Sequence, residues 1–191
     1  MLSKIKWGGI AGVVAATAFL LGGIINQVSP VQQTYDSAAS YFYLGVALVG
    51  YVAVIVAVLG IQALHAGRPR YGRLGTIGTV LTIAGYAIIA VITIIGMVQG
   101  QASLLNIRIA GAAVLLIGSA LLGVSILRAR VLPWWCGVLL IVAFPLGDVA
   151  NAIFSSAENL LLALLWGSIG VGLLTRREGA AEAVASQPAR G

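Results

Sequence analysis

Six runs of apolar residues, each at or near the length that crosses a lipid bilayer, divide this chain between Gly8 and Leu174. A helix needs about 20 such residues to traverse roughly 30 Å of hydrocarbon, because in lipid every backbone N–H and C=O must be bonded within its own segment. The runs lie at about 8–25, 41–64, 74–98, 107–127, 134–154 and 160–174. The last is short and spans only if Asn159 and Thr175 are drawn in or the bilayer thins around it, at modest cost. The expected fold is therefore all-α, a polytopic transmembrane bundle of six spans. Composition excludes the alternatives. Only 8% of residues are charged and 60% are hydrophobic, against about 25% charged in a soluble domain. That supply can clothe neither a water-soluble globule nor a disordered chain, which needs low hydrophobicity and high charge.

The first run follows Lys4 and Lys6 and so has the outline of a secretory signal. It is longer than the apolar part of such a signal, and the nearest small-residue site, Ser37-Ala38-Ala39, lies well past its end. A retained helix is expected. Orientation follows from the basic residues, which stay on the cytoplasmic side during insertion. Lys4 and Lys6, then Arg68, Arg70 and Arg73, then Arg128 and Arg130, then Arg176, Arg177 and Arg190 all fall on one side of a six-span plan. The opposite loops hold no lysine or arginine and only Asp36 and Glu158 as acids. Residues 1–177 thus form a membrane domain of the bacterial-type plasma membrane with both termini cytoplasmic. Residues 178–191, rich in alanine and without an apolar face, form a mobile cytoplasmic tail. Tyr41, Tyr43, Trp7, Tyr71, Trp134 and Trp135 fall at interface depth, where aromatic anchors belong.

The formal charge of +6 is accounted for by this asymmetry, and no nucleic-acid partner is expected. The partner is the lipid bilayer itself. Cys136 is the one cysteine and His65 the one histidine, too few for a zinc site of Cys and His ligands alone or for haem held by two histidines. No metal and no cofactor are expected. His65, near the inner end of the second span, reads as a solvated interfacial side chain, and Cys136 as a packed thiol. The chain contains no His-Glu-x-x-His, no Gly-x-Ser-x-Gly and no phosphate-binding Gly-x-x-x-x-Gly-Lys, so enzymatic chemistry has little support.

Ionisable groups inside a bilayer cost roughly 2.5 to 3.5 kcal/mol at a helix centre on the insertion scale, which makes them candidates for function. Asp148 is the acid placed well inside a span, following Pro145 and Gly147. Proline removes a helical donor and frees a carbonyl one turn earlier, so a kink beside the carboxylate is expected. Asn151, three residues on, shares its face. Arg108 sits just inside the outer end of the fourth span, and Asp148 is expected about 9 Å below the outer end of the fifth. Three readings stay open: Arg108, Asp148 and Asn151 dock two helices, or they bind a substrate, ion or proton from the outer side, or Arg108 extends to water and never meets Asp148. Tyr51 and Tyr86 are expected to pack with their hydroxyls bonded to neighbouring helices. Asn26 and Gln27 end the first span and border the same outer region.

Gly8 and Gly12, Ala11 and Ala15, and Ser168 and Gly172 have four-residue spacing, which puts small side chains on one face and permits close helix approach. They serve internal packing, or a seam with a second copy or a partner membrane subunit. A weak internal repeat relates Leu59-Gly60-Ile61, a basic loop, Gly75 and Gly85 to Leu122-Gly123-Val124, a basic loop, Gly137 and Gly147. The turn Arg128-Ala129-Arg130-Val131-Leu132-Pro133-Trp134-Trp135, followed by a glycine-rich apolar span, resembles the inner hairpin of small bacterial six-span membrane proteins of the domain-of-unknown-function kind. That resemblance implies the span plan and no activity. The expected role is a non-enzymatic scaffold or accessory subunit. The alternative is a small permease with an outer-facing site at Asp148, Arg108 and Asn151.

Overall fold

A computed structural model describes the backbone of residues 2–30, 35, 37–65, 70–101, 104–151 and 156–185, with side chains for all of these except residues 2, 148 and 176–185. The sequence readings at Asp36, Arg68, Arg190 and the side chains of Arg176 and Arg177 lie outside this set. The chain forms α1 Leu2–Val28, α2 Ala38–His65, α3 Gly72–Gln99, α4 Leu105–Ala129, α5 Trp134–Asn151 and α6 Ala157–Ala185. All six are long and apolar enough to cross a membrane. The fold is an all-α bundle, and the chain is a multi-pass membrane protein.

The helix ends follow from local chemistry. Ser37 caps α2, its hydroxyl accepting the Ser40 N–H at 3.2 Å, which satisfies one of the donors a helix start leaves free. Gly100 closes α3 in the left-handed conformation, its N–H bonded to the Gly96 carbonyl, as a glycine does without steric cost. Arg130 closes α4 in the same way through the Ile126 carbonyl, and Pro133 then precedes α5. One boundary differs from the sequence reading. Backbone helix continues past residue 177 to Ala185, through alanine and glutamate, which favour helix strongly. The described part of α5 reaches Asn151, and the expected end at 154 lies outside the described residues. α5 runs as one helix through Pro145, and that residue faces outward.

Consecutive helices pack side by side, α6 closes back on α1, and α2 also touches α6. The neighbours run antiparallel, as the α3–α4 register shows: Gly78 lies against Leu122, Gly118 against Thr82 and Gly85 against Leu115. The contacts are backbone to backbone. A β-carbon on Gly118 would come 2.5 Å from the Thr82 nitrogen, and one on Gly8 of α1 would come 2.5 Å from the Gly60 α-carbon of α2. Gly12 meets Gly170 of α6 in the same manner, and Gly123 of α4 meets Gly137 of α5. Lipid is as apolar as a leucine side chain, so helices in it associate through close van der Waals packing, which these glycines permit. Gly8, Gly12 and the buried Ala11 and Ala15 thus pack inside the bundle. Ser168 donates to the Leu164 carbonyl of its own helix at 2.7 Å, and Gly172 rests on Leu132. The glycines aligned by the supposed repeat face unlike neighbours: Gly60 meets α1, whereas Gly123 meets the helix that follows it.

The centre is filled with rings. Tyr86 of α3, fully enclosed, lies 5.9 Å from Tyr51 of α2, 6.4 Å from Phe144 of α5 and 6.1 Å from Trp166 of α6 by ring centroids. Phe19 of α1 joins through Tyr51 at 6.2 Å. The Trp166 indole N–H donates to the Tyr86 hydroxyl at 3.3 Å, which answers the expectation that Tyr86 would bond a neighbouring helix. Leu115 of α4 completes the layer against Gly85. Hydroxyls elsewhere in the spans return to their own helix: Thr82, Thr93 and Ser125 each donate to the carbonyl four residues back, so these polar groups are satisfied without water.

Candidate functional site

The densest set of inter-helix polar contacts among the described residues lies at the arginine-poor end, where the end of α1 meets the starts of α2 and α6. α6 enters through Ser156, whose backbone is left-handed at φ 75° and whose side chain is buried. The Asn26 side-chain amide donates to the Ser156 hydroxyl at 3.0 Å, tying α1 to α6. Asn159 bonds the side chain of Tyr43, tying α6 to α2. Gly23 makes room for this, since a β-carbon there would come 3.2 Å from that of Asn159. Glu158 occupies the first turn of α6, where the helix dipole favours an acid. Gly147 of α5 lies directly against it, with the Glu158 α-carbon 3.3 Å from where a β-carbon would stand.

Arg108 is the fourth residue of α4, which starts from Leu104 in the left-handed conformation. Its side chain is exposed. Arg108 and Glu158 both lie close enough to Tyr43 to act electrostatically on its phenol. Asn151 is the last described residue of α5 and is exposed. Asp148 lies in α5 three residues before Asn151, or about 4.5 Å along the axis. The expected depth of about 9 Å is measured from an end at Phe154, which lies outside the described residues. The side chain of Asp148 lies outside the described residues, and with it any pairing to Arg108. α4 and α5 are neighbours, so the two positions stand on adjacent helices.

Ser156, Asn159 and Tyr43 went unrecognised in the sequence as one cluster, and Glu158 read as a loop acid. A signal was present: Ser155-Ser156-Ala157-Glu158 before a leucine-rich run has the serine-to-glutamate spacing that marks a helix start.

At the opposite, arginine-rich end the aromatic and histidine readings change. His65 is buried, and not solvated as expected. Its ring stacks on that of Tyr71 with centroids 4.7 Å apart and planes at 22°, and its Nδ1 lies 2.8 Å from the Ile61 carbonyl. Tyr71 is likewise buried and so is not a surface anchor. Its hydroxyl shares a hydrogen bond with Thr79 at 2.8 Å, and its ring lies over Gly75, where a β-carbon would collide with it. Burial pushes the Tyr71 phenol above its ordinary value, and the Thr79 hydrogen bond offsets part of that. Trp7, Trp134, Trp135 and Tyr41 are exposed, as interfacial anchors are. Cys136 is buried beside Gly172.

Among the described residues no three of His, Cys, Asp and Glu gather as metal ligands would. What the polar cluster can do chemically is hold three helix ends together and present two opposite charges near a tyrosine. No protein-family model matches the chain, and neither a curated protein nor a solved structure does.

Proposed function

We propose that this protein is a non-enzymatic helix-packing scaffold or accessory subunit of a complex in a bacterial-type plasma membrane, with both termini cytoplasmic. The observation that supports this reading is the filled centre. Tyr51, Tyr86, Phe144 and Trp166 meet at mid-bundle, and the Trp166–Tyr86 hydrogen bond joins one helix to another. At the arginine-poor end the same holds for Asn26 with Ser156 and for Tyr43 with Asn159. Polar side chains are used on docking.

A permease using Asp148, Arg108 and Asn151 is the competing reading, and the exposure of Arg108, within electrostatic range of Tyr43, is what favours it. Reconstitution into liposomes separates the two. For a scaffold, fluxes of protons, monovalent ions and small organic acids match those of protein-free vesicles, and Asp148→Asn and Arg108→Gln change only the stability of the detergent-solubilised protein. A flux above background that either substitution removes overturns the scaffold reading. Tags on both termini test the orientation, and an external C-terminus would contradict it.

A further inference from the structure

At the arginine-rich end, the start of α3 and the end of α4 flank an open surface cavity of about 680 Å³ lined by Arg70, Arg128, Arg130, Val124 and Leu127. From this we propose a binding site for the headgroup of an anionic phospholipid. Three arginines from two separate segments line it, and each is exposed. No carboxylate lines the cavity, and among the described residues none pairs with any of the three.

The backbone explains how they share it. Residues two apart on a continuing helix point to different sides, so Arg128 and Arg130 would diverge if α4 went on. It does not: Arg130 takes the left-handed conformation at φ 53°, with its N–H on the Ile126 carbonyl. Glycine adopts that conformation freely and an arginine does not. The turn leaves both arginines on the cavity that Arg70 reaches from the start of α3.

Guanidinium groups hold phosphate oxygens through paired, charge-assisted hydrogen bonds. Basic pockets between spans at the membrane surface suit anionic headgroups. Two features select a lipid over a free anion. Val124 and Leu127 give the cavity an aliphatic wall, suited to the glycerol and upper acyl carbons behind a headgroup phosphate. Trp134 and Trp135, just beyond Arg130, are 68% and 47% exposed and mark this as the depth of the interface.

The test is native mass spectrometry of the delipidated full-length protein titrated with phosphatidylglycerol, phosphatidylcholine or inorganic phosphate. Phosphatidylglycerol adducts should form in preference to phosphatidylcholine and persist in excess inorganic phosphate. Each neutralised arginine should weaken them about fivefold, and the combined Arg70→Gln, Arg128→Gln and Arg130→Gln variant on the order of a hundredfold. Arg73→Gln, a cation at the same end but outside the cavity, should leave binding unchanged. The triple Arg→Lys variant guards against misfolding: it keeps the charge and should bind more weakly than wild type but more tightly than the glutamine form. Equal retention by wild type and the glutamine variant, equal phosphatidylcholine binding, or displacement by inorganic phosphate would each overturn the assignment.

Discussion

At Gly118 no atom fits between α4 and the backbone of α3, whereas at Asn26 a side chain reaches from α1 to Ser156 and a hydrogen bond makes the contact. The middle of the bundle is joined by shape and its arginine-poor end by polarity. In lipid a helix gains nothing by hiding an apolar side chain from other apolar material, so the middle depends on dispersion between closely approaching surfaces. Such contacts fail when an atom is added or a large ring is lost. At the helix ends, where water is near, a broken hydrogen bond is partly replaced by hydration. The difference teaches that polarity alone is a poor guide to which residues hold this protein together.

The comparison breaks most severely at the centre. Trp166→Ala removes a wholly enclosed ring and leaves Tyr86 without its indole partner. A loss of about 3–5 kcal/mol is expected, read as unfolding in mixed micelles. Gly118→Val places atoms against the α3 backbone, which cannot step aside, and should cost about 3 kcal/mol. A Gly118→Val protein as stable as wild type would refute the α3–α4 register.

At the polar end the expected effect is smaller. Asn26→Ala should cost about 1–2 kcal/mol, mainly by leaving the buried Ser156 hydroxyl unpaired. A cost matching that of Trp166→Ala would reverse the comparison. Tyr71→Phe removes the hydrogen bond to the buried Thr79 and should cost about 1 kcal/mol at neutral pH. It also carries a pH signature. The folded phenol holds its proton above the ordinary tyrosine value of about 10, so its contribution is fully present below that pH. The contribution is lost as pH rises through the higher folded value, and the alkaline loss of stability should be shallower in Tyr71→Phe than in wild type. Smallest of all, Gly45→Ala adds a methyl where nothing lies within 4 Å. The stability change should stay within about 1 kcal/mol and favour the variant through helix propensity.

Much of the fold was legible in the residues. All six spans were visible, because crossing lipid demands a length of apolar chain that can be counted, and the described helix ends lie within a few residues of expectation except at 185. The candidate site was less legible. Asp148 drew attention as an acid among apolar neighbours, and its side chain lies outside the described residues. His65 looked interfacial from its position near a helix end, yet Tyr71, six residues on and just before α3, stacks against it. The Asn26–Ser156 contact joins residues 130 apart, and no local pattern announces such a pair.

The sequence by itself determined that this chain crosses a membrane, that it does so as helices, and where arginine collects. These are properties of each segment taken alone, set by backbone hydrogen bonding in lipid and by the cost of moving cations through it. Only the tertiary structure decided which glycine meets which neighbour, that Tyr86 and Trp166 close the centre, and that three arginines share one cavity. In a soluble helix a polar face and an apolar face would have foretold its partners. Here the surfaces turned to lipid and to protein are equally apolar, so hydropathy carries no record of facing, and the outcome rests on shape.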